Sequence, residues 1–268
     1  MAQKNYSKSH LLYLKGRRRE KIFIGTMRWA VLVAILVMWE LSTHAGWLDS
    51  FIFSSPSRIF KTLGNLLVSG EIFLHAGITL FETLVGFLIA TAVGTATALV
   101  LWWNERLKKI AGPYVVVFNS LPKIALGPVI IIWFGSGIKA IVVMAILITV
   151  IVTALNMLGG FESTDENKIL LMRSLGASKL QILIKLVIPY SLPVFINTLK
   201  INIGMSWIGS IMGEYLVSRA GIGYLIVYGG QVFRMDLVFA STLILCLLAT
   251  GMYALVSMIE RIVCKRRK

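Results

Sequence analysis

Acidic side chains are scarce in this sequence. Twelve Asp and Glu stand against 27 Lys and Arg, a formal charge of +15 over 268 residues. Cysteine is scarcer still. Cys246 lies in an apolar run and Cys264 in the basic tail, which suits neither a disulfide framework nor a thiolate metal site. The three histidines, His10, His44 and His75, are far apart in sequence, which argues against a histidine-rich metal centre. No Gly-x-x-x-x-Gly-Lys-Ser/Thr loop is present to cradle nucleotide phosphates. Gly-x-Ser-x-Gly and His-Glu-x-x-His are missing too, as is any clustered nucleophile, acid pair or metal set. Nothing therefore points to an enzyme.

What the sequence has in abundance is apolar length. Hydrophobic residues make up 57%, and apolar runs long enough to cross a bilayer recur. The expected fold class is an all-α polytopic membrane protein. The basic excess does not read as nucleic-acid binding, because the cations cluster at the ends of apolar runs. The first run follows a basic N-terminus but precedes no small-residue cleavage site, so it reads as a retained helix. Six transmembrane helices are predicted, at about 28–46, 76–103, 110–134, 138–161, 192–216 and 237–263. Residues 54–72 are too polar to cross, and Pro56-Ser57 opens an amphipathic helix expected at the interface.

Charge asymmetry sets the orientation. Residues 1–28, the loop 104–109, the polar segment after the fourth span and the C-terminal tail carry twenty Lys and Arg; the opposite side carries five. By the positive-inside rule both termini and the polar segment are cytoplasmic. Anionic lipid accounts for the basic ends without a further function.

The polar segment, 162–190, is patterned. Ser163 and Glu166 have the spacing of a capping box, and so do Ser178 and Gln181. Between them, Gly176 can end the first helix in a left-handed conformation. Two short helices around one glycine make a rigid cytoplasmic knob, suited to docking a partner.

Several spans carry polar or small residues. Gly86, Ala90, Gly94 and Ala98 form a small-residue stripe that reads as helix packing, with Thr91, Thr95 and Thr97 able to hydrogen-bond back to the helix or across to a neighbour. Pro122 and Pro128 are expected to kink the third span, with Lys123 between them. An intramembrane lysine is either a pathway residue or a structurally paired one, and both readings stand. Asn202, Ser206, Ser210 and Glu214 fall on one face of the fifth span, beside Asn197 and Lys200. That face needs an aqueous pathway, the favoured reading, or a polar partner helix. Glu40 and Glu82 are expected to pair or to face a cavity.

Two stretches resemble a known family. Gly176, followed by Leu186, Ile188 and Pro189, is similar to the loop of ABC-importer permease subunits that couples to the ATPase, although Leu170, Leu171 and Met172 replace its Glu-Ala-Ala. Pro122, Ala125, Pro128, Trp133, Phe134 and Gly135 resemble the permease branch for sulfonates, taurine, nitrate and related small solutes. Glu214 and the stretch after it, GIGYLIVYGGQVF, also read like the family's outer end, where a short re-entrant or interfacial helix is expected. The resemblance implies a type I ABC importer permease fold: residues 1–27 a basic cytoplasmic segment, 28–263 the permease domain, and 264–268 a basic cytoplasmic tail. It implies ATPase coupling through Arg173, Ser174, Leu175, Gly176, Ala177, Ser178, Lys179 and Gln181. A translocation path would include Lys123, Asn202, Ser206, Ser210 and Glu214. It further implies that this chain sits in the cell membrane with a second permease copy, expected to form a homodimer, two ATPase subunits that use ATP and magnesium, and an extracytoplasmic solute-binding protein. This chain would bind no cofactor itself. The rival reading is an ion-gradient-driven secondary transporter in which Glu40, Glu82 and Glu214 relay protons, disfavoured because no inverted repeat is evident.

Overall fold

The computed structural model describes residues 8–265. Residues 1–7 of the basic N-terminal segment and 266–268 of the tail lie outside the described residues. Every described element is helical.

The first helix, α1 (Lys8–His44), runs through both the basic segment and the first predicted span. It packs mainly on the short α2 (Ser50–Phe53) and α3 (Pro56–Ser69), and its Trp39 meets Phe239 of the last helix edge-on at 5.4 Å. Glu40 ties it down. Its carboxyl accepts from the Ser57 N–H at 3.0 Å and the Ser57 hydroxyl at 2.7 Å, filling donors at the start of α3. This answers the expectation that Glu40 would pair. The amphipathic helix begins at Pro56 as predicted, with Ser55 as its cap. Its Ile59, Thr62 and Leu66 are buried, while Phe60, Leu67 and Val68 are exposed. Thr62 donates to Asp236 of the last helix at 2.5 Å.

The core is three long helices. They are α4 (Glu71–Trp103), α7 (Ile138–Glu162) and α10 (Ile188–Val217), with α7 packed against both others. At 1.5 Å per residue, the 33 residues of α4 reach about 50 Å, more than the roughly 30 Å of a bilayer's hydrocarbon. Close approach depends on glycine. A Cβ on Gly86 would lie 2.6 Å from that of Ala145, and one on Gly94 2.5 Å from that of Thr153. Ala90 and Ala98 are fully buried beside them, so the small-residue stripe serves helix packing, as its spacing suggested.

The third predicted span is more broken than expected. It comprises α5 (Glu105–Ser120), a 3₁₀ turn (Lys123–Leu126) and α6 (Gly127–Phe134), and the two halves are bent by 86°. Pro122 follows the end of α5, where the missing N–H and the restricted preceding residue stop the helix. Pro128 does not kink a helix. It lies in the first turn of α6, where its absent donor costs nothing. Among the described residues five helices are long and apolar enough to cross a membrane, and the total reaches the predicted six if this bent pair counts as one span.

The polar segment after α7 folds as α8 (Glu166–Ser174) and α9 (Lys179–Ile182), and a π turn (Leu183–Val187) joins α9 to α10. Beyond α10 come α11 (Ile222–Gln231) and α12 (Met235–Lys265), packed on each other. At ten residues, about 15 Å, α11 is too short to span, as predicted for this glycine-rich stretch.

Candidate functional site

Two places gather the residues singled out in the sequence. The first is the elbow between α8 and α9. One expected cap is corrected here. Ser163 does not open α8, because its hydroxyl donates to the Gly160 carbonyl at the end of α7 (2.8 Å). Asp165 caps α8 instead, accepting from the Asn167 N–H at 2.9 Å. Asp165 and Glu166, the first residue of α8, place negative charge at the helix N-terminus, where the dipole favours it.

The exit of α8 follows the sequence. Gly176 has φ +78°. Its N–H donates to the Arg173 carbonyl (2.9 Å), and the Ala177 N–H donates to the Met172 carbonyl (2.9 Å). Those paired bonds are a Schellman motif, with Met172 and Ala177 packed against one apolar cluster. Ser178 and Gln181 then close a full capping box, at 2.8 and 3.3 Å. Every backbone N–H from Leu175 to Ser178 is thus hydrogen-bonded, which holds the turn.

The elbow is also fastened to the rest of the chain. The Lys179 ammonium donates to the Trp103 carbonyl at the end of α4 (2.6 Å) and lies over the rings of Trp102 and Trp103. Lys108 and Glu162 form an ion pair at 2.7 Å beside it. Ile182 and Val187 are buried against Ala98, Met157 and Phe161. The other face is bare: Leu170, Leu171 and Leu175 are 62%, 60% and 78% exposed. Arg173, Ser174, Gly176, Ser178, Lys179 and Gln181 are exposed around the same turn, whereas Ala177 is half-buried. A cavity of about 670 Å³ opens here, bordered by Trp102, Phe161, Thr164, Asn167 and Arg173.

The second place is the polar seam along α10. The four predicted residues do share one face, and all are buried. Each meets a polar group. Asn202 donates to Thr91 (2.9 Å) and accepts from Thr153 (3.1 Å). Ser206 pairs with Thr149 (3.2 Å), and Thr83 donates to Ser210 (3.0 Å). Glu214 accepts from the N–H groups of Gly223 (2.5 Å) and Tyr224 (3.3 Å) at the start of α11. Within one copy the seam is thus a set of interhelical hydrogen bonds rather than the wall of an open passage. Polar partner helices, the less favoured of the two sequence readings, account for its burial.

Lys123 is not brought into that seam. Its ammonium donates to the Asn119 carbonyl (3.0 Å), at the C-terminal end of α5 where a cation is favoured. Lys200 pairs with Glu260 of α12 at 2.5 Å. Thr91 bonds across to a neighbouring helix, one of the two options its sequence allowed, but sequence reasoning missed Thr83 of α4 and Thr149 and Thr153 of α7, which complete the seam. It also missed His75 and Thr79, which accept from the Gly221 and Ile222 N–H groups at 2.9 and 2.7 Å. A threonine in a span usually bonds to its own helix, as Thr97 does to Val93, so residue type alone gave no signal.

Residues 83–265 match the family of binding-protein-dependent transport system inner membrane components. A formylaminopyrimidine transport permease protein of Halalkalibacterium halodurans is 30% identical over 87% of this chain and 93% of its own length. A putative aliphatic sulfonates transport permease protein of Escherichia coli is 27% identical over 91% and 92%. Among solved structures, an amino acid ABC transporter chain superposes with a TM-score of 0.62 at 18% identity, covering 74% of this chain and 97% of that one.

Proposed function

This chain belongs to the inner membrane components of binding-protein-dependent transport systems, and from that premise we propose that it carries a small solute into the cytoplasm on the power of a separate ATPase. It is a non-catalytic ABC permease subunit with the type I importer fold. The solute would be small and sulfonate-, taurine- or nitrate-like, or a related molecule, handed over by an extracytoplasmic binding protein. Relatives named for aliphatic sulfonates, taurine and formylaminopyrimidine support that range.

The working unit would be two copies of this chain with two ATPase subunits, termini and elbow on the cytoplasmic side. Arg173 to Lys179, with Gln181, would seat in a groove on the ATPase. The observation that carries this reading is the elbow itself: a rigidly capped turn with bare leucines on one face and anchored side chains on the other. ATP binding by the partner would close the ATPase pair and draw the two elbows together. The spans would tilt with them, because Lys179 and Ile182 attach the elbow to α4 and α7. Solute released between the two permeases would then pass inward, and hydrolysis would reset the assembly. Lys123, Asn202, Ser206, Ser210 and Glu214 would meet the solute only in a state where the seam opens.

The test is purification of the tagged full chain from its own host in mild detergent, followed by native mass spectrometry. Two copies of the chain with two ATPase subunits are expected for wild type, and loss of the ATPase is expected for Gly176→Arg. A chain that arrives alone in both samples, while a known importer complex survives the same detergent, would sink the proposal.

A further inference from the structure

Glu82 of α4 and Glu214 of α10 face each other beside the Thr83–Ser210 hydrogen bond, within hydrogen-bonding reach. They are 0% and 2% exposed. The Oε2 atom of Glu214 accepts from the Gly223 and Tyr224 N–H groups. Its Oε1 atom and both oxygens of Glu82 have no hydrogen-bond partner among the described residues, and the Thr79 hydroxyl near Glu214 donates to the His75 carbonyl instead.

No cation answers them. The ion pairs among the described residues join other partners: His44–Glu40, Lys108–Glu162, Lys200–Glu260 and Arg234–Asp236. Among the groups on surrounding elements, the Nδ1 atom of His75 is taken by the Gly221 N–H, while Arg219 and Lys139 are exposed. Glu71 lies at the start of α4, and Tyr215 and Tyr224 are phenols that bring no positive charge. Among the described residues no three His, Cys, Asp or Glu cluster as metal ligands. Two facing carboxylates at such burial would repel each other and leave three acceptors empty, both costly.

We propose that Glu82 and Glu214 form a proton-binding site in which a single proton, held on Glu82, is donated to the Oε1 atom of Glu214. Glu214 is the charged member, because two N–H groups at the N-terminus of α11 stabilise a carboxylate there. Glu82 is the neutral acid, because nothing else can supply its missing hydrogen. The proton comes from water by way of an outer cavity of about 360 Å³, which Glu82 lines together with Ser136 and Arg219. The pair joins three helices, α4 through Glu82, α10 through Glu214 and α11 through the N–H groups that Glu214 receives.

The test is infrared difference spectroscopy of the full chain in lipid at neutral pH. Wild type minus Glu82→Gln should show one protonated-carboxyl carbonyl band per chain, which shifts in deuterated water. Glu214→Gln should lose that band as well, because the new amide donates to Glu82 and leaves it a carboxylate. A wild type minus Glu82→Gln spectrum with carboxylate bands alone would overturn the proposal. Should Glu82→Gln fail to fold, Glu214→Gln decides: a lost protonated-carboxyl band supports the shared proton, and no such loss overturns it. The readout needs no transport, so it stands or falls apart from the importer reading.

Discussion

The ammonium of Lys179 rests on the carbonyl of Trp103, 2.6 Å away and 76 residues earlier in the chain. A residue of the elbow thereby completes the C-terminal end of the longest core helix, where free carbonyls and the helix dipole both favour a cation. Pushing the elbow pushes α4.

That relationship predicts a coupling defect. Lys179→Met should insert and assemble, since the contact is exposed and worth about 1 kcal/mol or less. Solute moved per ATP hydrolysed should fall, and Lys179→Arg should restore most of it. Uptake and ATP hydrolysis measured together in proteoliposomes check this. Equal falls in both rates would mean that Lys179 serves assembly instead.

At Gly176 the penalty for a side chain comes from the backbone. No atom lies within 4 Å of an added Cβ, but φ is +78°. Gly176→Ala should cost about 1–2 kcal/mol, and Gly176→Asn should cost less, because asparagine tolerates the left-handed region. Thermal unfolding in detergent should rank them glycine, asparagine, alanine. An alanine variant as stable as wild type would show that the turn relaxes.

Along the α4–α7 seam the penalty is steric. Gly94→Val drives methyl groups into Thr153 and should cost about 1–3 kcal/mol through overpacking. Gly159→Ala, with open space around it, is the control and should stay near wild type. Midpoints of thermal unfolding measured side by side check the contrast.

The seam of α10 predicts an accessibility pattern. Single cysteines at 202, 206 and 210 should resist an aqueous thiol reagent in the nucleotide-free complex, because the native side chains are fully buried. If the seam opens to solute, labelling should appear in at least one nucleotide state. Silence in every state would remove these residues from the path. Asn202→Ala should meanwhile cost about 0.6–2 kcal/mol by removing the bonds to Thr91 and Thr153, although Thr153 keeps its bond to the Thr149 carbonyl.

Much of the fold could be read from the sequence because it depends on local chemistry. Apolar length places the spans, Pro56 opens α3, and Gly176 with Ser178 and Gln181 sets the elbow within a dozen residues. Ser163 misled because a serine and a glutamate at the right spacing fit one cap, whereas Asp165, closer to the helix, supplies a better acceptor. The 86° break could not be foreseen from Pro122 alone, since a proline fixes where a helix ends but not the direction in which the chain leaves. The seam was half legible. The period of α10 puts Asn202 to Glu214 on one face, but the partners come from α4 and α7, more than 40 residues away in sequence. Only packing decides whether such a face meets water or threonine.

From Lys179 to Val217 the chain is a single rod of 39 residues, interrupted by the wide π turn at Leu183–Val187. Elements joined end to end behave as springs in series, and strain collects in the most compliant one. The ordinary helical turns on either side are stiff, and the α10 stretch beyond is clamped by the seam. A load applied at the elbow should therefore be taken up as torsion across those five residues, which turns a linear pull into a twist where the rod enters the membrane.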